Sequence, residues 1–210
     1  MKIYGHFLSS PANQVRLTAS ALGAPHEYVH VDLQNGEQMT PEYRAINPFG
    51  KVPALDDNGF HLAESNAICR YLAHKQGAAL YSADPKQAAR IDQWMDFSTH
   101  HVRSNMGKVL FNKMFAPMFD MPVNEAALAE GLENLNANLG HVETALSQGG
   151  FLAGDALTLA DIALIAAMEP FEKIEFDMTP FPATQKMRQS IMGEDWYTSV
   201  HAHYGAEMQD

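Results

Sequence analysis

Apolar and polar residues alternate or repeat in short segments over the first third of the chain. Alternating stretches at residues 2–7 and 26–31 predict two β-strands, and apolar residues at a helical spacing over residues 11–22 predict a helix between them. Two more short strands flank residues 56–59, whose Asp-Asp-Asn-Gly sequence is typical of a hairpin turn. With one helix before the hairpin and one after it, the order β-α-β-α-β-β-α predicts a small mixed sheet covered by helices.

After residue 85 the apolar pattern becomes helical. Five helical segments are predicted, at residues 88–119, 123–147, 162–168, 182–191 and 196–203. Thr158 and Asp161 have the spacing of a capping box at the start of the third of these segments. We therefore predict an α/β domain over residues 1–77, a linker over residues 78–85 and an all-helical bundle domain over residues 86–210.

Composition and charge narrow the class of protein. The 210 residues are 46% hydrophobic and 19% charged, so the chain can form a proper core and wholesale disorder is not expected. The formal net charge of -11 argues against a nucleic-acid partner. The longest apolar run, near residues 162–168, is too short to cross a bilayer. Cys69 is the single cysteine, which rules out an intrachain disulfide and fits a reducing, cytoplasmic location.

A proline stands near the start of the third predicted strand, where it cannot donate to a sheet ladder. A cis Val52–Pro53 bond would turn the main chain of Val52 outward, where it could pair with a short extended peptide. The next helix begins at Glu64 and Ser65, and its free N–H groups and serine hydroxyl suit a carboxylate. Because Glu64 can also hold an ammonium group, the pattern predicts a site for a peptide with a zwitterionic end.

Three stretches resemble a known protein family. They are NPFGKVPAL at residues 47–55, Glu-Ser at residues 64–65 followed by NAICRYLA, and GDALTLADIAL at residues 154–164. With the order of elements, they resemble the cytosolic glutathione S-transferase family, in its bacterial, serine-type, theta- or phi-like form. The resemblance implies a thioredoxin-like domain followed by a helical bundle, a cis proline at residue 53, glutathione as co-substrate, no metal, and a cytoplasmic homodimer.

The resemblance also implies which residues bind glutathione. Val52 pairs through its main chain with the cysteinyl unit, next to cis Pro53. Glu64 and Ser65 hold the γ-glutamyl end. Two side chains, those of Lys51 and Gln38, bind the glycyl carboxylate. Several relatives have histidine at the position of Gln38.

The catalytic group has to stabilise a thiolate. Lowering a thiol pKa from about 8.5 by about two units needs roughly 2.7 kcal/mol, and one charge-assisted hydrogen bond supplies about 1.5–3 kcal/mol. The donor is expected just after the first strand, where Ser9, Ser10 and Asn13 compete. Serine-type relatives keep the catalytic serine six positions before a valine, and Ser9 with Val15 matches that spacing. The resemblance thus favours Ser9, with Ser10 as the second choice.

Simpler explanations exist for each of these features. Ser9 and Ser10 could only cap a helix, Glu64 and Ser65 could only start one, and Lys51 could be a solvated surface charge. Phe49, between a proline and a glycine, is either an exposed contact for a second subunit or a buried loop residue. It is the joint occurrence of these features, in order, that favours the functional interpretation.

Residue spacing does not select the residues of the acceptor site, which binds the second substrate. We expect it between the loop after the first strand and the first long helix. The candidates are aromatic, apolar or polar residues of these two regions: Phe7, Leu8, Phe97, His101, Arg103, Asn105 and Phe111.

The predicted activity is glutathione transfer to electrophilic, mostly apolar small molecules, in a detoxification role. Glutathione-dependent peroxidase, isomerase and dehalogenase activities use the same thiolate and remain alternatives. A non-catalytic binding module of the same fold, or a carrier of apolar ligands, are alternatives of another class.

Overall fold

The computed structural model describes residues 1–77 and 80–201, which form two compact units. We call Met1–Ser82, together with the last helix of the described chain, the N-terminal unit, and Ala83–Ile191 the helical unit. Three of the predicted features extend outside the described residues: the linker includes residues 78–79, and both the last predicted helix and the predicted helical domain run past residue 201.

A four-stranded mixed sheet forms the centre of the N-terminal unit. Its strands are β1 (Lys2–Gly5), β2 (Glu27–His30), β3 (Ala54–Asp57) and β4 (Phe60–Ala63), in the spatial order β2-β1-β3-β4. Strand β1 pairs parallel to β2 and antiparallel to β3, and β3 pairs antiparallel to β4 across the predicted hairpin. The predicted mixed sheet is confirmed.

Three helices accompany this sheet: α1 (Ser10–Ala21), α2 (Pro41–Ile46) and α3 (Ser65–Lys75). The first two begin with a side-chain cap, since Ser9 accepts from Ala12 N–H and Thr40 accepts from Tyr43 N–H. Helix α1 packs against α3 and buries Leu17, and α3 buries Ile68 and Leu72. These side chains lie with Ile3 and Leu55 of the sheet among the largest fully buried residues.

The helical unit is built from six α-helices among its described residues. They are α4 (Pro85–Phe97), α5 (Ser104–Leu110), α6 (Ala116–Met118), α7 (Glu125–Gly149), α8 (Leu159–Met168) and α9 (Pro182–Met192). The prediction of one long helix over residues 88–119 was incomplete, because π-helical segments at Ser98–Arg103 and Phe111–Phe115 interrupt it. No helix of the described residues is long and apolar enough to cross a membrane.

Asparagine side chains stabilise the interrupted region. Asn105 Nδ2 donates to the His101 carbonyl at 2.7 Å, and Asn112 Nδ2 donates to the Lys108 carbonyl at 2.8 Å. The oxygen of each amide accepts from another part of the unit: Asn105 Oδ1 accepts from the side chain of Asn134, and Asn112 Oδ1 from a main-chain N–H. Side-chain donors inserted beside a helical ladder are a known cause of local irregularity.

Helix α8 is the core of the helical unit, because every one of its ten residues is buried. The capping box predicted at its start is confirmed. The Thr158 hydroxyl accepts from Ala160 N–H, and the Asp161 carboxylate accepts from Thr158 N–H. Asp161 also accepts from Leu152 N–H at 2.8 Å, so one buried carboxylate joins the preceding loop to the first turn of the helix.

Helix α9 is capped by a residue from another helix. The Glu143 carboxylate of α7 accepts from the N–H groups of Ala183 and Thr184 at 2.7 and 2.8 Å, and from the Thr184 hydroxyl. Partial burial opposes ionisation, but these hydrogen bonds outweigh it and lower the pKa of Glu143 below its ordinary value. A carboxylate at a helix N-terminus also interacts favourably with the helix dipole.

A last helix, α10 (Asp195–His201), belongs to the N-terminal unit. The Ser20 hydroxyl of α1 donates to the Trp196 carbonyl at 2.8 Å, and Arg16 donates to the Val200 carbonyl at 3.1 Å. The predicted bounds placed this segment in the helical domain of residues 86–210. Its contacts group it instead with the sheet and α1, because polar side chains of α1 satisfy its carbonyl groups.

Candidate active site

The sheet topology brings three functional segments to one end of the N-terminal unit. Tyr4 pairs with Ala54 across β1 and β3, and Ala54 pairs with Ala63 across β3 and β4. The end of β1, the start of β3 and the end of β4 are therefore neighbours. The loop before α1, the residues before β3 and the start of α3 all emerge from this end of the sheet.

Ser9 is the N-terminal cap of α1. Its backbone is extended (φ -90°, ψ 103°), its N–H donates to the His6 carbonyl at 2.9 Å, and its Oγ accepts from Ala12 N–H at 3.4 Å. No hydrogen bond among the described residues uses the Ser9 hydroxyl proton. That proton is available to an acceptor at the helix N-terminus. Ser10, the second candidate, is the first residue of the helix itself.

The peptide bond between Val52 and Pro53 is cis, as predicted. Strand β3 begins only at Ala54, so Pro53 lies just outside the ladder, where its missing N–H costs no sheet hydrogen bond. Among the described residues, no hydrogen bond engages the N–H or C=O of Val52. Val52 therefore has both main-chain groups available to an extended ligand.

The residues before Val52 are held by two side chains whose role the sequence does not indicate. The Lys51 carbonyl accepts from Tyr43 Oη at 2.7 Å and from Asn47 Nδ2 at 2.6 Å. Asn47 is only 1% exposed. Burial is the main cause that raises the pKa of Tyr43 to about 12, so this phenol remains a hydrogen-bond donor at neutral pH. Asn47 belongs to the NPFGKVPAL stretch, but the sequence does not show that its side chain binds the Lys51 carbonyl.

Gln38 lies in a short 3₁₀ turn, Glu37–Met39, next to the loop that contains Lys51. Gly50 has φ +61°, and a Cβ at this position would lie 2.9 Å from Met39 Sδ and 3.2 Å from the Gln38 carbonyl oxygen. A side chain here would crowd both atoms, and the positive φ favours glycine at this position. The side-chain oxygen of Gln38 is buried and has no hydrogen-bond partner among the described residues, so a ligand would complete its hydrogen bonding.

Glu64 and Ser65 mark the start of α3. Glu64 has φ 70° and ψ 114°, a conformation that is strained for a residue with a side chain and that is often found at functional sites. Its side chain is exposed and does not cap the helix. Ser65 is largely buried, and no hydrogen bond among the described residues involves its hydroxyl.

A second pair that the sequence did not predict connects α1 to α3. Gln14 Nε2 donates to Asn66 Oδ1 at 2.9 Å. Gln14 is fully buried, and Asn66 directly follows Ser65. This hydrogen bond fixes the helix that Ser9 caps relative to the helix that begins at Ser65.

The acceptor-site candidates are distributed over the two units. Phe7 and Leu8 lie in the N-terminal unit, in the loop before Ser9, and Leu8 is exposed. In the helical unit the remaining candidates lie on the interrupted helix: Phe97, His101, Arg103, Asn105 and Phe111.

Among the candidates in the helical unit, Phe97 and His101 contact each other, and Asn105 is hydrogen-bonded to its own helix. The rings of Phe97 and His101 are 4.9 Å apart, and Phe111 is exposed. Asn105 is buried, and its amide is hydrogen-bonded within the helical unit. No group of three His, Cys, Asp or Glu side chains among the described residues is arranged to hold a metal ion.

Comparison with known proteins agrees with this geometry. Residues 1–74 match the family model of the glutathione S-transferase N-terminal domain, and residues 106–195 match that of the C-terminal domain. The chain belongs to the glutathione S-transferase family. Its predicted architecture, a thioredoxin-like domain followed by an all-helical part, is therefore confirmed.

Relatives of this glutathione S-transferase family member include plant proteins of the F type. The chain is 35% identical over 168 residues to a probable glutathione S-transferase GSTF2 of Oryza sativa subsp. japonica, covering 79% of this chain and 78% of the relative. It is 37% identical over 166 residues to glutathione S-transferase F10 of Arabidopsis thaliana, covering 78% and 77%. These F-type relatives do not support the bacterial, theta-like subtype predicted from the sequence.

Solved glutathione S-transferases have the same fold. A glutathione S-transferase-I bound with lactoylglutathione has a TM-score of 0.88 at 27% identity, over 96% of this chain and 98% of that one. Glutathione transferase F2 of Populus trichocarpa has a TM-score of 0.88 at 28% identity, over 98% and 99%. The similarity thus extends over both units of the chain.

Proposed function

We propose that the chain is a serine-type, phi-like glutathione transferase in which Ser9 activates the glutathione thiol. The observation that carries this proposal is the Ser9 hydroxyl, which caps α1 through its oxygen and keeps its proton available. It lies on the loop that emerges from the same sheet end as Val52 and the start of α3. Residues 1–77 are the proposed glutathione-binding domain.

Glutathione would be held by main-chain and side-chain groups at this sheet end. Val52, with its free N–H and C=O, pairs with the cysteinyl unit. The Ser65 hydroxyl and the N–H groups of the first turn of α3 receive the γ-glutamyl carboxylate, and Glu64 receives the ammonium group. Lys51 and the amide of Gln38 receive the glycyl carboxylate.

Thiol activation follows from the position of the hydroxyl. Since Oγ of Ser9 accepts from Ala12 N–H, its O–H is polarised and becomes a better donor. A hydrogen bond from this O–H to the glutathione sulfur stabilises the thiolate by about 1.5–3 kcal/mol, and the N-terminus of α1 adds about 0.3–1 kcal/mol. Together these lower the thiol pKa by about two units.

The reaction is a nucleophilic substitution or addition at an electrophilic carbon. The thiol proton leaves to solvent, and the thiolate electron pair forms the new sulfur–carbon bond. With a chloronitroaromatic acceptor, the carbon–chlorine bond breaks and chloride leaves with its electron pair. The protein supplies the thiolate and its orientation, and no other reactant is needed.

The binding half of the proposal is tested with Ser65. Replacing Ser65 by alanine removes one hydrogen bond to a carboxylate, worth about 1.5 kcal/mol, so we expect glutathione to bind about tenfold more weakly. Isothermal titration with glutathione measures the change. Glu42→Gln, a neutral substitution on the exposed face of α2, is the control and should bind as the wild type does. Unchanged binding by Ser65→Ala would remove Ser65 from the site.

We further propose that the protein is a cytoplasmic homodimer with Phe49 in the interface. Phe49 is 64% exposed, and Asn47 fixes its turn, since Asn47 Oδ1 accepts from Phe49 N–H at 3.1 Å. This exposure argues against the alternative of a buried loop residue. The single cysteine, Cys69, is a buried thiol outside any disulfide, which suits a reducing compartment.

The dimer is tested by removing this exposed ring. Burying one phenylalanine contributes about 1.5–3 kcal/mol, and a symmetric dimer buries two, so Phe49→Ser should raise the dimer dissociation constant by about 100-fold or more. Sedimentation velocity over a concentration series measures this constant. Phe119→Ser is the matched control, because Phe119 is also 64% exposed. A monomeric wild type, or equal effects of both substitutions, contradicts the proposal.

A further inference from the structure

One peptide unit in the loop before Ser9 is held from both sides. The Leu8 N–H donates to His6 Nδ1 at 3.2 Å, and the Phe7 carbonyl accepts from Asn13 Nδ2 at 2.7 Å. These two groups are the N–H and the C=O of the same Phe7–Leu8 peptide. His6 is 7% exposed and Asn13 is 0% exposed. The peptide plane therefore cannot rotate without breaking two hydrogen bonds to buried side chains.

His6 is itself oriented by its neighbours. Because Nδ1 accepts a hydrogen bond, the neutral ring carries its proton on Nε2. The ring stacks on Phe7 with centroids 4.6 Å apart and lies 4.9 Å from the ring of His30 at the end of β2. These contacts keep the acceptor nitrogen directed at Leu8.

Asn13 is oriented in the same way. Its Oδ1 accepts from Arg16 at 3.3 Å, which leaves Nδ2 to donate to the Phe7 carbonyl. The Arg16 guanidinium lies 4.3 Å from the centre of the Tyr28 ring and donates to the Val200 carbonyl of α10. The amide is thus connected through Arg16 to β2 and to the last helix of the N-terminal unit.

We propose that His6 and Asn13 are positioning residues that set the place of the Ser9 hydroxyl, an inference that rests on the proposed role of Ser9. The turn itself needs only the hydrogen bond from Ser9 N–H to the His6 carbonyl. In addition, the buried side chains of His6 and Asn13 bind the Phe7–Leu8 peptide, which the turn does not require. A donor to a thiolate has to be held within about 0.5 Å of its productive place. These two hydrogen bonds supply that constraint.

Paired substitutions separate the hydrogen bond from the packing of His6. His6→Phe keeps the stacked ring and removes the acceptor, while His6→Asn keeps an acceptor and removes the ring. Asn13→Leu keeps the size of the side chain and removes the donor. We expect His6→Phe and Asn13→Leu to raise the pKa of bound glutathione by about one unit and lower kcat at neutral pH about tenfold. His6→Asn should retain most of the wild-type value of both.

The measurements are thiolate absorbance against pH, kcat with a chloronitroaromatic acceptor, and the glutathione dissociation constant. The last should stay within about twofold of wild type, because the substituted residues do not contact glutathione in this proposal. If Asn13→Leu does not bind glutathione, the smaller Asn13→Ala, which also lacks the donor, takes its place. Wild-type thiol pKa values in His6→Phe and in the Asn13 variant would overturn the proposal.

A second set of variants in the Ser9→Ala background distinguishes this inference from the proposed function. If His6 and Asn13 act through Ser9, their substitution changes neither the thiol pKa nor kcat once Ser9 is absent. An equal loss in both backgrounds would overturn the positioning role alone. An active Ser9→Ala with a wild-type thiol pKa would instead overturn the role of Ser9, and the positioning role with it.

Discussion

Replacing Ser9 by alanine is expected to lower kcat/KM for conjugation of a chloronitroaromatic by about 10- to 100-fold at neutral pH. The substitution removes one charge-assisted hydrogen bond to the sulfur, worth about 1.5–3 kcal/mol, and each 1.4 kcal/mol corresponds to a factor of ten. Glutathione affinity should change little, because its γ-glutamyl and glycyl ends are bound elsewhere. The loss should therefore appear in kcat rather than in KM for glutathione.

The pH dependence supplies an independent test of the same residue. In the wild type we expect the bound thiol to have a pKa of about 6.5, two units below the value of about 8.5 for a free thiol. Activity rises with pH through this pKa, because only the thiolate attacks. In Ser9→Ala the pKa should move up by about one to two units. The acid limb of the rate profile should then move to higher pH by the same amount, and thiolate absorbance should follow it.

Ser10→Ala is the matched control, since it removes the same group one residue later. The Ser10 position is the first residue of α1, whereas Ser9 is the cap whose hydroxyl proton is available. We expect Ser10→Ala to keep a thiol pKa and kcat within about twofold of wild type. If Ser9→Ala kept full activity, or if only Ser10→Ala lost activity, Ser9 would not be the catalytic residue.

Features with local causes could be predicted from the sequence. The hairpin was predicted from the Asp-Asp-Asn-Gly turn, and its Asn58 and Gly59 have the positive φ values that such a turn requires. The capping box of α8 depends on residues three positions apart. The cis bond at Pro53 was expected from the NPFGKVPAL stretch and its resemblance to the family. The strand that follows Pro53 is not an edge strand, because β3 pairs with β1 on one side and with β4 on the other. In each case the physical cause lies within a few residues of its effect.

Features with distant causes could not be predicted in this way. The Lys51 carbonyl is bound by Tyr43 of α2, and Gln14 of α1 is bound to Asn66 of α3. Near the π-helical segments of the helical unit, the amides of Asn105 and Asn112 each bind a main-chain carbonyl four residues earlier, whereas the apolar pattern of this region is that of an ordinary helix. The place of α10 depends on Arg16 and Ser20, about 180 residues earlier. Neither periodicity nor turn chemistry indicates which polar side chain meets which carbonyl.

The second large effect is expected at Asp161, in the core of the helical unit. Replacing Asp161 by alanine leaves the main-chain N–H groups of Leu152 and Thr158 buried without a partner. Each such group costs about 1–3 kcal/mol, and the bond to Thr158 N–H is the half of the capping box that is lost. For the two groups together we therefore expect the free energy of unfolding to fall by about 2–6 kcal/mol. Urea denaturation measures this loss, which is a large part of the stability of an ordinary domain.

Asp161→Asn gives an intermediate case that identifies the cause. The asparagine oxygen can accept from only one of the two N–H groups, and its NH₂ group faces the other donor. We expect a loss of about 1–3 kcal/mol, between those of wild type and alanine. Asp155→Ala, at an exposed position of the same loop, is the control and should stay within about 0.5 kcal/mol of wild type. If alanine and asparagine at residue 161 had equally small effects, the carboxylate would not stabilise the start of α8. The resemblance of the GDALTLADIAL stretch would then reflect packing of its apolar residues alone.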